Sequence, residues 1–240
     1  MARAFISLIV ALCLIASAAV AQDARPRVPS GLDPGGVAIA LLSTGIDYTL
    51  PALAARLARD GEGETIAWDF EANDNRPFDR SAGQTPVEWG GDGTALATAL
   101  VASPGARLVA VRIVPGDPHS IARAAVFLSQ TPARLVIVPM RNLRPEDWQP
   151  FALAAARYKD ILFVVPASET GHGSTLVNVV AVGASASGID SVGFGGVTKV
   201  LAPPDAALVA AARLATNALS RNPRTGIVEL KRLIGESLER

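Results

Sequence analysis

The stretch Val37-Ala38-Ile39-Ala40-Leu41-Leu42-Ser43-Thr44-Gly45-Ile46-Asp47-Tyr48 decides the reading of this chain. Six apolar residues run without interruption into a short polar turn. An apolar run of that length, with no polar alternation, is what a strand buried on both faces of a sheet requires. Some forty residues on, Gly91-Asp92-Gly93-Thr94-Ala95-Leu96-Ala97 has the look of a glycine-framed helix start. Four more runs rich in Val, Ile and Leu lie at 107–114, 134–138, 161–165 and 177–182. Between and after them the sequence predicts helices at 50–59, 94–102, 120–129, 148–158, 206–219 and 227–238. The last carries apolar residues at Ile227, Leu230, Leu233, Ile234 and Leu238, which form one helical stripe. Strand–helix alternation of this kind predicts an α/β fold: a doubly wound, mostly parallel sheet with helices on both faces.

The rest of the chain bounds the class. Lys and Arg together number 22, as do Asp and Glu. That balance supplies no basic field for nucleic acid or an anionic membrane surface. Hydrophobic residues make up 50% of the chain, enough for a well-buried core. Residues 1–21 read as a secretory signal peptide. Arg3 supplies the positive charge, an apolar stretch comes next, and Ala19-Val20-Ala21 forms the small-x-small cleavage site before Gln22. The apolar stretch is short for a span, so no membrane span is expected after cleavage. Cys13 is the only cysteine and leaves with the signal, so the expected mature chain has no disulfide and no thiolate metal ligand. Residues 22–36 carry Pro26, Pro29 and Pro34 with several glycines and read as a linker or arm. Residues 37–240 are expected to form one α/β domain, secreted or periplasmic.

The motifs, in order, resemble those of the subtilisin-like serine peptidases (subtilases). Ser43-Thr44-Gly45-Ile46-Asp47 is similar to the turn that ends the family's first strand, and Gly91-Asp92-Gly93-Thr94 to its helix-opening Gly-His-Gly-Thr. Trp68-Asp69-Phe70 and Asn73-Asp74-Asn75-Arg76-Pro77 are similar to its Trp-Asp-Phe and Asp-Asn-Asp-x-Pro stretches. Val177-Asn178-Val179-Val180-Ala181-Val182-Gly183-Ala184 resembles its Asn-Val-Ile-x-Val-Gly-Ala strand, and Phe194-Gly195-Gly196 and Leu201-Ala202-Pro203-Pro204 resemble two further pieces. The resemblance runs from about Val37 to Leu233 and implies a shortened subtilisin-like fold.

It also implies a dismantled triad. Ser43 stands where the resemblance puts the catalytic aspartate, and Asp92 where it puts the histidine. Ser43 has no charge with which to orient an imidazole. Asp92 is a much weaker base than histidine, with unperturbed pKa values of about 3.9 against about 6.5. Counting back from Asn222-Pro223, Asp205 falls near the place of the nucleophilic serine, and no Ser or Thr lies between Lys199 and Leu214. In Pro166-Ala167-Ser168-Glu169-Thr170-Gly171, Glu169 takes the place of the oxyanion-stabilising asparagine, where a carboxylate would repel the developing charge. Val138-Pro139-Met140-Arg141-Asn142 matches the edge that pairs with substrate backbone, and Pro139 removes one N–H from it. With residues 1–21 read as a signal peptide, no folding propeptide of the kind that active secreted subtilases carry is expected between Gln22 and Gly36.

The expected function is therefore an exported subtilisin-like domain that has lost serine-protease catalysis and binds a peptide or protein partner. Ser43, Asp47, Asp92, Met140 and Glu169 line the candidate cleft. The alternative is a hydrolase or peptidase with a rearranged acidic site, in which Asp92 and Glu169 share a proton or hold a cation. The sedolisins, a related branch, carry acidic residues at those two positions. No cofactor or metal is expected. His119 and His172 read as solvated loop histidines, and the Asn/Asp/Pro content around Asp69, Asp74 and Asp79 is explained by turns.

Overall fold

The computed structural model describes residues 25–79, 89, 93–141, 143–167, 176–185, 188–193, 196–200 and 204–238. Its centre is an eight-stranded sheet. The strands are β1 (Val37–Ser43), β2 (Trp68–Asp69), β3 (Ala106–Arg112), β4 (Leu135–Ile137), β5 (Leu162–Pro166), β6 (Val179–Ser185), β7 (Gly188–Gly193) and β8 (Gly196–Val200). They lie in the order β2-β3-β1-β4-β5-β6-β7-β8. The first six in that order are parallel; β7 and β8 add an antiparallel hairpin to the β6 edge.

Six helices accompany them among the described residues: α1 (Pro51–Ala54), α2 (Gly93–Val101), α3 (Pro118–Leu128), α4 (Pro145–Arg157), α5 (Pro204–Arg221) and α6 (Ile227–Leu238). Alternate residues of β1 sort to the two faces, as strand geometry demands. Ile39 and Leu41 pack with Leu96 and Leu100 of α2, Leu208 and Ala211 of α5, and Leu230 and Ile234 of α6. Ala38, Ala40 and Leu42 pack with Ile121 and Leu128 of α3 and Trp148 and Phe151 of α4. Both faces are covered, which is why the central strands read as unbroken apolar runs. Helix α3 starts on the Asp117 side chain, which accepts from His119 N at 3.0 Å, with Pro118 in the first turn.

Two expectations need correction. The helix predicted over 50–59 is one turn only, α1. The sheet claims the residues after it: Leu57 bridges to Leu108, with Ala58 N donating to Leu108 O at 2.8 Å and Leu108 N to Arg56 O at 2.7 Å. The outer edge of β3 is buried and needs backbone partners, and that demand overrides helix propensity in this alanine-rich segment. The strands β7 and β8 are additions to the predicted sheet. Their sequences, Gly-Ile-Asp-Ser-Val-Gly and Gly-Val-Thr-Lys-Val, are short and framed by glycine, so neither shows a sustained pattern.

Residues 25–36 lie along the domain. Arg25 reaches Asp69 at 2.9 Å, the Tyr48 hydroxyl donates to Pro26 O at 2.6 Å, and Arg59 Nη2 donates to Pro29 O at 2.6 Å. Asp33 accepts from Arg59 N at 2.7 Å and pairs with the Arg107 guanidinium. Burial pushes the Tyr48 hydroxyl up to about 12, which keeps it a donor.

Candidate functional site at the carboxyl end of β1

Strand β1 sits between β3 and β4, and the chain visits β3 before crossing to β4. Strand order thus reverses at β1, and the carboxyl ends of strands at such a switch point form the crevice where open α/β sheets bind ligands. Ser43 closes β1 at that end and is 1% exposed. Its carbonyl accepts from Ile113 N at 2.8 Å, which ties it to the end of β3. Its hydroxyl donates to Gly45 O at 3.3 Å and accepts from Gly45 N at 3.2 Å. Both contacts stay inside its own turn, a local side-chain-to-backbone arrangement typical of serine.

Gly45 sits at φ +113°, and a Cβ on it would meet the Asp79 Cβ at 2.7 Å. Only glycine suits both the dihedral and the space. The next residue pairs with the loop at 77–79 through Ile46 N to Pro77 O at 2.9 Å and Asp79 N to Ile46 O at 3.0 Å. Asp47 N donates to Thr94 Oγ1 at 2.8 Å, so the Ser43–Asp47 turn is locked to the start of α2. The Asp47 carboxylate accepts from Thr49 N at 3.0 Å and from the Thr49 hydroxyl. Gly93, the first residue of α2, abuts the same turn. A Cβ there would lie 2.7 Å from Ser43 Oγ and 2.3 Å from Gly45 O.

The other candidate residues fare differently. Met140 is fully buried in the core beneath α3 and α4, so its side chain packs the sheet and forms no cleft wall. Asp205 lies in the first turn of α5 and is ion-paired with Arg141, the residue after Met140. Asp92, Glu169 and His172 lie outside the described residues. His119 is exposed in the first turn of α3.

The acidic stretch after β2 is tied up by arginines. Asp69 is fully buried, pairs with Arg25 at 2.9 Å and Arg112 at 3.2 Å, and accepts from Glu71 N at 2.8 Å and Ala72 N at 2.9 Å. Asp74 pairs with Arg25 at 3.4 Å and Arg76 at 3.6 Å. Neither the Arg25 and Arg112 partners of Asp69 nor the Arg141–Asp205 pair can be read from the sequence. Ion pairs between residues far apart in the chain have no local spacing to announce them.

The chemistry open to the site is set by its donors and acceptors. Among the described residues, Ser43 Oγ is hydrogen-bonded to the backbone of Gly45. A serine hydroxyl becomes a nucleophile only when a base takes its proton. The Arg141–Asp205 pair joins the segment after β4 to the first turn of α5.

The sheet order and the two helical layers define a subtilisin-like α/β fold. The chain is similar to a cold-adapted subtilisin-like serine proteinase, with a TM-score of 0.54, 16% identity, and 88% of this chain and 85% of that one covered. It is similar to Sphericase, at TM-score 0.51 and 18% identity over 87% of this chain and 84% of that chain. It is also similar to the S41 psychrophilic protease, at TM-score 0.51 and 17% identity over 85% and 83%. No protein-family model matches the sequence. No curated protein matches it by sequence either.

Proposed function

We propose that this chain is an exported subtilisin-fold domain that has lost serine-protease catalysis and acts by binding a peptide or protein partner. In this reading residues 1–21 are removed on export, residues 22–36 form the arm, and residues 37–240 form the domain, in the periplasm or outside the cell. The observation that carries the reading is Ser43. It occupies the strand-end position that the family resemblance assigns to a carboxylate, and its hydroxyl is hydrogen-bonded within its own turn. A neutral, buried hydroxyl offers no charge to hold an imidazolium, the role a triad aspartate fills. Asp205, near the place of the missing nucleophile, is ion-paired with Arg141. The fold itself is retained, and a fold whose site has changed serves a new function through its surfaces.

The test is incubation of the purified mature protein with unfolded casein, with mass spectrometry of the products and a binding isotherm. The reading expects intact casein after prolonged incubation and saturable binding of casein-derived peptides. New fragments that vanish when the protein is heat-inactivated would overturn it, and would favour the rearranged acidic site around Asp92 and Glu169.

A further inference from the structure

The side-on edge of an arginine guanidinium carries two parallel donors, Nε–H and one Nη2–H, spaced to match the two oxygens of a carboxylate. In Arg141 that edge is half used. Nη2 donates to Asp205 Oδ1, whereas Nε is shielded from water and has no acceptor among the described residues. Asp205 is held at one oxygen only, and its side chain is 58% exposed against 21% for Arg141. Exposed ion pairs contribute little, about 0–1 kcal/mol, so such a partner is easily exchanged. A buried donor left without an acceptor is the costlier feature, and a carboxylate seated on both donors would relieve it.

We propose that Arg141 is an exchangeable carboxylate receptor. The Nε/Nη2 edge takes a carboxylate of a bound peptide, and Asp205 is the resident competitor that leaves when the ligand arrives. This rests on the peptide-binding reading and names the ligand chemistry of that site. The carboxylate comes either from a peptide C-terminus or from an acidic side chain.

The experiment tracks the Arg141 Nε–H resonance in the ¹⁵N-labelled mature protein, assigned by its loss in Arg141→Lys, which keeps the charge and removes Nε. Three probes are titrated: N-acetyl-trialanine with a free carboxylate, its C-terminal amide, and N-acetyl-Ala-Glu-Ala amide. The expected result is a saturable shift with at least one carboxylate-bearing probe and none with the trialanine amide. The probe that acts identifies the source. In Asp205→Asn the same probe should bind about tenfold tighter, the order expected for freeing one charged hydrogen bond. Asp205→Ser is a second variant should the first fold poorly. Equal shifts with carboxylate and amide, no shift with any probe, or unchanged affinity once Asp205 is replaced would overturn the proposal. Failure here leaves peptide binding elsewhere on the domain intact, whereas hydrolysis of a probe would overturn the binding-domain reading and leave the arginine contact standing.

Discussion

Gly93 begins helix α2 in direct contact with Ser43: a methyl group on Gly93 would lie 2.7 Å from the Ser43 hydroxyl oxygen and 2.3 Å from the Gly45 carbonyl oxygen. The nearest obstacle is the Gly45 backbone carbonyl, in a turn held by the Asp47 N–H to Thr94 Oγ1 bond. Neither side can yield without breaking that bond or shifting β1. Gly93→Ala should therefore destabilise the protein by about 1–3 kcal/mol, the usual cost of overpacking. Urea denaturation checks it. A variant as stable as the parent would show that the turn and the helix part easily.

Asp69 carries a second structural prediction. Its carboxylate is fully buried between Arg25 and Arg112 and accepts two backbone N–H groups. Asp69→Asn should cost about 1.5–3 kcal/mol, because the buried side chain loses its charge-assisted bonds to Arg25 and Arg112, which keep only the more exposed Asp74 and Glu71 as partners. Arg25→Ala should cost less, about 1 kcal/mol, since Arg112 remains and Arg25 is partly exposed. Equilibrium denaturation of both variants measures the difference. Equal losses would contradict a burial that rests mainly on Arg112 and the backbone.

Asp33 gives a pH dependence with a definite sign. Burial raises its pKa, but the N–H groups of Arg59 and Gly35 and the Arg107 guanidinium outweigh that and hold the carboxyl below its ordinary value. A carboxyl whose folded pKa is depressed contributes stability above its unfolded pKa of about 3.9. That stability disappears as pH falls from there through the folded value. The wild-type protein should lose stability across that window, and Asp33→Asn should lose less across it while being about 1 kcal/mol weaker at neutral pH. Denaturation curves from about pH 6 to about pH 2 bracket that window and test this. Parallel pH profiles for the two proteins would contradict it.

Much of the fold is legible in the sequence. Strands β1, β3, β4, β5 and β6 are short apolar runs because helices cover both sides of them, and burial of that kind writes a distinctive composition. The one-turn helix α1 is not legible, because the need of the β3 edge for partners at Arg56 and Ala58 is a tertiary demand. The hairpin β7–β8 is hidden by its glycines. At the site, the Ser43–Asp47 turn and the Gly93–Thr94 helix start stand adjacent, as their motifs imply. The Arg141–Asp205 pair joins residues 64 apart in the chain, and nothing local to either residue signals the other.

In the proposed reading Ser43 and Asp92 are two of several departures from the family's site, and reversing these two is expected not to produce catalysis. The double variant Ser43→Asp and Asp92→His supplies the two residue types that the family resemblance assigns to these positions and leaves Asp205 paired with Arg141, with no hydroxyl nucleophile between Lys199 and Leu214. Catalytic residues that act as a unit give little when only part of the unit is present. The double variant should cleave a chromogenic peptide no faster than the parent. Turnover above that background would show that a serine elsewhere in the chain serves as nucleophile.

The most direct measurement of the central claim is labelling of the purified mature protein with a fluorophosphonate probe, which reacts with activated serines. The proposed loss of serine-protease catalysis predicts no labelling above that of the heat-denatured control. Stoichiometric labelling that heat abolishes would contradict it.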